Sequence, residues 1–235
     1  MDTQLRHLSA DQVKTIQASF INKVYMWMCA ALMITGFVAL RTASSESLMG
    51  ALFGGGSMMP FYILLFGQLG LVWWMSSSID KLSVGLATGL FILYSALNGL
   101  TMAVIFLVYT KSSIASTFFV TAATFGVMSA YGYFTKKDLT SWGNLLFMAL
   151  IGFIIASIVN IFLKSTFFYW MITYAGILIF VGLTAYDTQK IKKMSLGLDA
   201  ESEAGKKGAI MGALMLYLDF INLFLLLLRV MGDRR

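Results

Sequence analysis

The stretch 208-GAIMGALMLYLDFINLFLLLL-228 decides the class of this protein, because it is long, apolar and broken by a single acid, Asp219. A helix rises about 1.5 Å per residue, so roughly 20 apolar residues cross the hydrocarbon core of a bilayer. The stretch is therefore expected to form a membrane-spanning helix.

The rest of the chain has the same character. Of its 235 residues, 59% are apolar and 12% are charged, against about 25% charged residues in ordinary soluble domains. A soluble domain of this size cannot bury so much apolar surface, because its surface is too large for its volume. We expect an all-α membrane protein, a bundle of seven transmembrane helices. The predicted spans are residues 24–40, 60–79, 83–109, 113–134, 143–163, 167–188 and 208–230.

The polar ends divide the chain into three parts. Residues 1–23 are predicted to form a cytoplasmic N-terminal segment with a short interfacial helix, which begins at Ser9 with the Ser-x-x-Gln pattern of a capping box. Residues 24–230 form the transmembrane domain, and residues 231–235 form a short C-terminal tail.

The basic residues predict the orientation. The N-terminal segment and the second, fourth and sixth connections hold 11 of the 17 Lys and Arg residues. The side with more basic residues faces the cytoplasm, so the N-terminus is expected inside. Seven spans then place the C-terminus outside, although Arg234 and Arg235 favour the inside. The net charge of +6 does not indicate nucleic-acid binding, because the basic residues lie between apolar runs and form no single patch.

Two acids lie in predicted spans, Asp187 near the end of the sixth and Asp219 within the seventh. An ionised carboxylate near the bilayer centre costs several kcal/mol, so such a residue indicates a functional site. On the seventh helix the spacing aligns Asp219 with Gly208, Gly212 and Asn222. Small residues on that face allow close helix packing, so Asp219 is expected to point into the bundle.

The two aspartates are expected to act together. Like charges a few ångströms apart do not both ionise cheaply, so two carboxylates in neighbouring helices can share one proton and titrate as a unit. Without the proton, the pair offers hard oxygen ligands suited to a cation such as Ca²⁺. Asp219 lies about 11 residues into its predicted span, roughly 16 Å in depth, whereas Asp187 lies near an end. They meet only if the seventh helix projects into the cytoplasm or the sixth is shifted inward.

Several polar residues within the spans are candidates to line a pore or to support the pair. They are Tyr186, Tyr217, Asn222, Asn98 and Tyr94. The alternative is that each aspartate is a structural acceptor satisfied by a Tyr, Asn or Ser, since hydrogen bonds between membrane helices are common.

Searches for catalytic motifs are negative. The sequence contains no His-Glu-x-x-His, no Gly-x-Ser-x-Gly and no Gly-Lys-Ser/Thr phosphate loop. The only histidine, His7, lies outside the predicted spans, which excludes a Ser-His or Cys-His dyad within the bilayer. We expect no resident cofactor and no enzymatic activity, and Cys29 is alone, so no intrachain disulfide forms.

Four segments together resemble the Bax inhibitor-1 family, also called the transmembrane Bax inhibitor motif family. Residues 184–190 (TAYDTQK) and 216–224 (LYLDFINLF) look like its signature, and residues 94–101 and 117–126 are similar to its third and fourth helices. The likeness covers about residues 20–235, and the short polar ends and the terminal Arg234-Arg235 look like the bacterial inner-membrane branch.

The resemblance implies a seven-helix fold with the last helix central. It also implies a pH-sensitive calcium leak in which Asp187 and Asp219 are sensor and gate. The ligands would be Ca²⁺ and protons, and the setting would be the lipid bilayer of the bacterial inner membrane.

Two other functions remain open. One is a regulatory protein that acts through other membrane proteins, such as a membrane protease. The other is an intramembrane aspartyl protease, since Tyr186-Asp187 in a sixth helix and Asp219 in a seventh resemble presenilin-type enzymes. The Gly-x-Gly-Asp motif of those enzymes is absent, because Tyr217 and Leu218 precede Asp219.

Overall fold

A computed structural model describes residues 10–54, 58–198 and 200–235 of the chain, so Ser9 and His7 lie outside the described residues. Seven helices in the described part are long and apolar enough to cross a membrane, which confirms the predicted seven-helix class. They are α1 Ala10–Ala43, α2 Met59–Ser78, α3 Val84–Met102, α4 Lys111–Phe134, α5 Thr140–Leu163, α6 Thr166–Met194 and α7 Glu203–Met231.

The first helix is longer than the predicted span. The segment that was expected to form an interfacial helix and the first span together form the single 34-residue helix α1. Nothing in the sequence interrupts it, because the segment has no proline and its first glycine is Gly36. The cytoplasmic placement of its N-terminal end stays a prediction.

The third span is divided, where the sequence predicts one helix over 83–109. Helix α3 ends at Met102, and a separate short helix, Ile105–Val108, completes the span. At the break, the Ala103 N–H donates to the oxygens of both Gly99 and Leu100, at 3.1 and 3.3 Å. Such a shared hydrogen bond is typical of a helix end.

The sixth and seventh helices extend beyond their predicted spans into the basic connection. Helix α6 continues to Met194, and α7 begins at Glu203. Lys190, Lys206 and Lys207 are therefore helical residues rather than loop residues. The extension places Asp187 about two turns inside α6.

The chain forms two compact units. The first comprises the residues up to Tyr109, Lys193–Tyr217 and Arg235. Within it α1 packs along α3, and the two helices approach closely at Gly99, where an added Cβ would lie 2.7 Å from the Thr35 oxygen. Glycine is required at this position because any side chain would separate the two backbones.

The second unit comprises Thr110–Lys192 and Leu218–Arg234, which are α4, α5, most of α6 and the second half of α7. Its core is a cluster of five buried apolar residues from α6 and α7. They are Ile179, Phe180, Leu183, Leu223 and Leu226.

Burial differs greatly among the helices. In the most apolar 18-residue stretch of α7, 72% of the residues are buried, whereas none is buried in that of α5. Helix α5 exposes large apolar side chains such as Phe162 and Met148, as expected for a helix that faces lipid. By this measure α7 is the most buried of the seven helices among the described residues.

The C-terminal tail is hydrogen-bonded to the connection between the third and fourth spans. In the first unit the Arg235 N–H donates to the Val108 oxygen at 3.0 Å. In the second unit the Thr110 N–H donates to the Asp233 oxygen at 3.0 Å, and the Asp233 N–H donates to Ser113 Oγ at 2.8 Å. These bonds tie the tail that follows α7 to the residues around the start of α4. The expectation that α7 crosses the bilayer rests on its length and apolar composition.

Candidate functional site

The structure brings together the two aspartates that the sequence singles out. Asp187 on α6 and Asp219 on α7 belong to the second unit, and their carboxyl groups lie within hydrogen-bonding reach of each other. Asp187 is an interior residue of α6, because that helix continues past the predicted end of the sixth span.

The pair is poor in hydrogen-bond donors. Asp219 is 5% exposed, and its Oδ2 atom is buried and meets no donor among the described residues. Asp187 is half-buried. Since ionised carboxylates only accept, the contact between the two groups is a hydrogen bond only when they share a proton. With both groups charged it is a repulsion, which is stronger in a protein interior than in water.

Aromatic rings cover the residue next to Asp219. Phe220 makes edge contacts with Phe118 and Phe125 of α4, with ring centroids 5.4 and 5.5 Å apart. Such contacts fill the space between α4 and α7 with apolar surface.

Contacts with α4 fix the position of Asp187. An added Cβ on Gly132 would lie 2.2 Å from the Ala185 oxygen, so the backbones of α4 and α6 touch there. One turn further along α6, the Thr188 hydroxyl is hydrogen-bonded to Ser129 Oγ at 3.1 Å. Asp187 lies between these two contacts, so its carboxylate is held on a rigid part of the helix.

Gln189 anchors the same turn to the connection that precedes α5. Its Oε1 accepts from the Leu139 N–H at 2.9 Å, and its Nε2 donates to the Lys137 oxygen at 2.8 Å. Gln189 is not among the predicted site residues, although it lies in the segment 184–190 that carries the family resemblance. The close contact of Gly132 with α6 could not be predicted from a single sequence, because it depends on how the two helices pack.

Tyr186 faces helix α5. Its ring occupies the space that a side chain at Gly143 would need, with ring carbons 2.2 to 2.7 Å from the added Cβ. It also lines a cavity of about 340 Å³ that includes Lys137 and Trp142. The structure therefore assigns Tyr186 a packing contact, and its proposed support of the pair stays a prediction.

Basic groups lie at one end of the pair. Lys190, one turn after Asp187, is the cation whose charge acts on that carboxylate. Lys192 donates to the Tyr133 oxygen at 2.7 Å and lies over the ring of the same residue at 4.7 Å. Both lysines place positive charge in the last turns of α6. Lys190 is the counter-ion of Asp187.

Three of the other predicted residues form a hydrogen-bonded network in the first unit. Tyr217 pairs with Thr35 Oγ1 at 2.7 Å, and its ring packs edge-on against Tyr94 at 5.9 Å. The Asn98 side chain lies within hydrogen-bonding reach of both tyrosines. Thr35 Oγ1 gives its hydrogen to the Ser95 oxygen at 2.9 Å, so Tyr217 is the donor to Thr35.

Asn222 belongs to the second unit, where its amide donates to the Leu218 oxygen of its own helix at 2.8 Å. It also lines a second cavity, of about 560 Å³. A role in a pore for any of these polar residues stays a prediction.

The aspartate pair is a small ligand set for a cation. Within the described ranges, no three His, Cys, Asp or Glu side chains are grouped so as to hold a metal ion. Two carboxylates supply at most four oxygens, whereas Ca²⁺ takes six to eight. Water or backbone oxygens must complete the shell, which suits a cation that binds briefly and leaves.

Fold and site together define a polytopic membrane protein with a carboxylate pair between its last two helices. The chain belongs to the Bax inhibitor-1 family, because the family model described as inhibitor of apoptosis-promoting Bax1 matches residues 17–235. This confirms the resemblance derived from the sequence.

Relatives are similar over nearly the whole chain. The inner membrane protein YbhL of Escherichia coli K12 is 52% identical, with all of both chains aligned. An uncharacterized protein of Borreliella burgdorferi is 44% identical over 94% of each chain. The uncharacterized protein RP147 of Rickettsia prowazekii is 44% identical over 92% of this chain and 90% of its own.

Proposed function

We propose that this protein is a passive leak for cations, chiefly Ca²⁺, and that protonation of Asp187 and Asp219 controls it. The observation that carries the proposal is the contact between two carboxyl groups of α6 and α7, one of them with a buried oxygen that meets no donor among the described residues. Such an arrangement needs either a proton or a cation, because charged groups within a bundle are costly unless compensated.

The proton and the cation have opposite consequences for the helices. A shared proton makes a hydrogen bond that holds α6 to α7 at the pair. Loss of the proton leaves two charges that repel or bind a cation, and cation binding strengthens as pH rises because protons and Ca²⁺ compete for the same oxygens. Lys190 is the nearby cation that moderates this repulsion.

The same proposal places the protein in the bacterial inner membrane with its N-terminus in the cytoplasm, and it assigns no enzymatic activity. The relative from Escherichia coli, named an inner membrane protein, supports the location. The excess of Lys and Arg in the N-terminal segment and the even-numbered connections supports the orientation.

The test is Ca²⁺ flux into proteoliposomes that contain the purified protein, measured from acid to alkaline pH. Asp187→Asn and Asp219→Asn are each expected to abolish or flatten the pH dependence, because Asn keeps the size of the side chain but cannot lose a proton. Asp80→Asn and Asp138→Asn are matched controls at exposed acids outside the long helices and should leave the pH profile unchanged.

Two results would redirect the assignment. A parent protein that carries no ion at any pH would favour a regulatory protein that acts through membrane partners. Cleavage of a helical reporter peptide in the same vesicles, lost in both aspartate variants, would favour an intramembrane aspartyl protease. Equal effects of the control and pair variants on flux would contradict the paired-aspartate mechanism.

A further inference from the structure

A cavity of about 560 Å³ in the second unit is lined on α7 by residues from Asn222, one turn after Asp219, to Arg229, near the C-terminal end of the helix. It is lined by both apolar and polar residues from α5, α6, α7 and the α5–α6 connection. The apolar ones are Phe153, Ile161, Ile172, Leu225 and Leu226, and the polar ones are Ser157, Asn160, Lys164, Tyr169, Asn222 and Arg229.

Two cations line the cavity, and none of the described lining residues is acidic. Arg229 lies over the ring of Tyr169, with its guanidinium carbon 5.6 Å from the centroid. Lys164 contributes the second charge from the end of α5. Positive charge of this kind without a carboxylate partner is typical of a site for an anion.

Lys164 has an unusual backbone. It ends helix α5 in the left-handed conformation, with a φ of 49°, and is the one described residue other than glycine with a positive φ. Glycine fits this position better than any residue with a Cβ, because the Cβ crowds the following carbonyl oxygen. A lysine at this position therefore places a positive charge at the cavity, although it makes the end of helix α5 less stable than a glycine would.

The setting of the cavity indicates an amphipathic ligand. Ile161 and Phe162, in the last turn of α5, are 68% and 81% exposed on a helix whose apolar stretch is entirely unburied. The cavity runs from Arg229, near the end of α7, to Asn222, about two turns deeper. It thus offers cations at the level of the helix ends and apolar walls below them.

We propose that this cavity binds an anionic membrane phospholipid, with the headgroup phosphate held between Lys164 and Arg229. The acyl chains would lie against the apolar walls formed by Ile161 and Leu225. A charged phosphate is held best by cationic donors, and the amides of Asn160 and Asn222 add neutral hydrogen-bonding groups. The site uses neither aspartate of the proposed leak, and Asn222 is the one candidate residue that the two proposals share.

The test is a titration of the purified protein in non-ionic detergent with short-chain dioctanoyl phosphatidylglycerol, followed by native mass spectrometry. Dioctanoyl phosphatidylcholine and inorganic phosphate are titrated in parallel. We expect saturable binding of phosphatidylglycerol, at least about tenfold tighter than either comparison ligand. Lys164→Gln/Arg229→Gln should weaken phosphatidylglycerol binding at least about tenfold, and Lys111→Gln, an exposed base at the start of α4, should not.

Lys164→Gly separates binding from folding. Glycine relieves the left-handed backbone and removes the charge, so the melting temperature should rise while the affinity for phosphatidylglycerol falls. Equal binding of the two lipids, or an equal loss in Lys111→Gln, would overturn the proposal. Binding of inorganic phosphate as tightly as phosphatidylglycerol would show a site for soluble anions and would overturn the lipid assignment.

Discussion

Two buried polar clusters of this protein differ in how their hydrogen bonds are satisfied. In the first unit, Tyr217 donates to Thr35, and Thr35 donates to the Ser95 oxygen, at 2.7 and 2.9 Å. In the second unit, Asp219 has a buried oxygen that meets no donor among the described residues. One cluster is complete without any added proton or ion, and the other is not.

Under the proposed function, this difference separates structural polar groups from functional ones. Hydrogen bonds between neutral side chains hold membrane helices together at little cost, and they respond weakly to pH. A pair of carboxylates in contact changes from attraction to repulsion when one proton leaves. The tyrosine network should therefore govern stability, and the aspartate pair should govern the response to pH.

The first prediction tests whether the close contact at Gly132 of α4 holds α6, and with it Asp187, in place. Gly132→Ala should destabilise the protein by about 3 kcal/mol or prevent folding, because the new Cβ would meet the Ala185 backbone oxygen at 2.2 Å. Gly126→Ala on the same helix, where nothing lies within 4 Å, should be neutral or stabilise it by up to ~1 kcal/mol. Melting curves in detergent measure both effects, and equal melting temperatures would show that α4 does not fix α6.

The second prediction tests whether the two aspartates act as one unit. The double variant Asp187→Asn/Asp219→Asn should change the pH profile of Ca²⁺ flux no more than either single variant, because one lost partner already removes the shared proton. Flux in proteoliposomes across pH provides the measurement. Additive shifts in the three profiles would mean that the aspartates titrate independently, and the contrast with the tyrosine network would weaken.

The sequence predicted the aspartate pair because acids are rare in apolar segments. The scarcity that singled out Asp187 and Asp219 is a property of composition, and a single sequence displays it. The number of spans followed from hydropathy for the same reason. The direction in which a side chain points could not be predicted in this way, because the contact of Tyr186 with Gly143 depends on how two helices cross. The sequence contains no information of that kind at single positions.

The helix ends were the weakest part of the prediction. The sixth apolar span is predicted to end at 188, where polar residues begin, but the helix that contains it continues to Met194. Lys, Gln and Met are good helix formers, so a polar helix continues past the apolar span. The cavity lined by Lys164 and Arg229 was missed for another reason, since the two residues are far apart in sequence and each is unremarkable alone.

The third prediction concerns the tyrosine network, where the expected effect is smaller. Tyr217→Phe removes the hydroxyl that donates to Thr35 and should cost about 1 kcal/mol of stability. The pH profile of Ca²⁺ flux should keep its shape. Melting curves and flux measured on the same preparation distinguish the two effects. A flattened pH profile in Tyr217→Phe, comparable to that of Asp219→Asn, would assign the network a direct part in gating.

The last prediction concerns orientation and should leave stability and flux nearly unchanged. We expect the α6–α7 connection, close to the end of α6 that carries Asp187, to face the cytoplasm, and the C-terminus to face the opposite side. In a Cys29→Ala background, cysteine is placed at Gly197 or at Arg235, both exposed. Arg235→Cys keeps the backbone hydrogen bond to the Val108 oxygen, because only the N–H takes part. An impermeant thiol reagent should label Arg235→Cys in intact spheroplasts and Gly197→Cys only after lysis. The reverse pattern would place the basic connection outside, so that the proton acting on the pair would come from the other compartment. Labelling of both cysteines in intact spheroplasts would contradict an odd number of crossings.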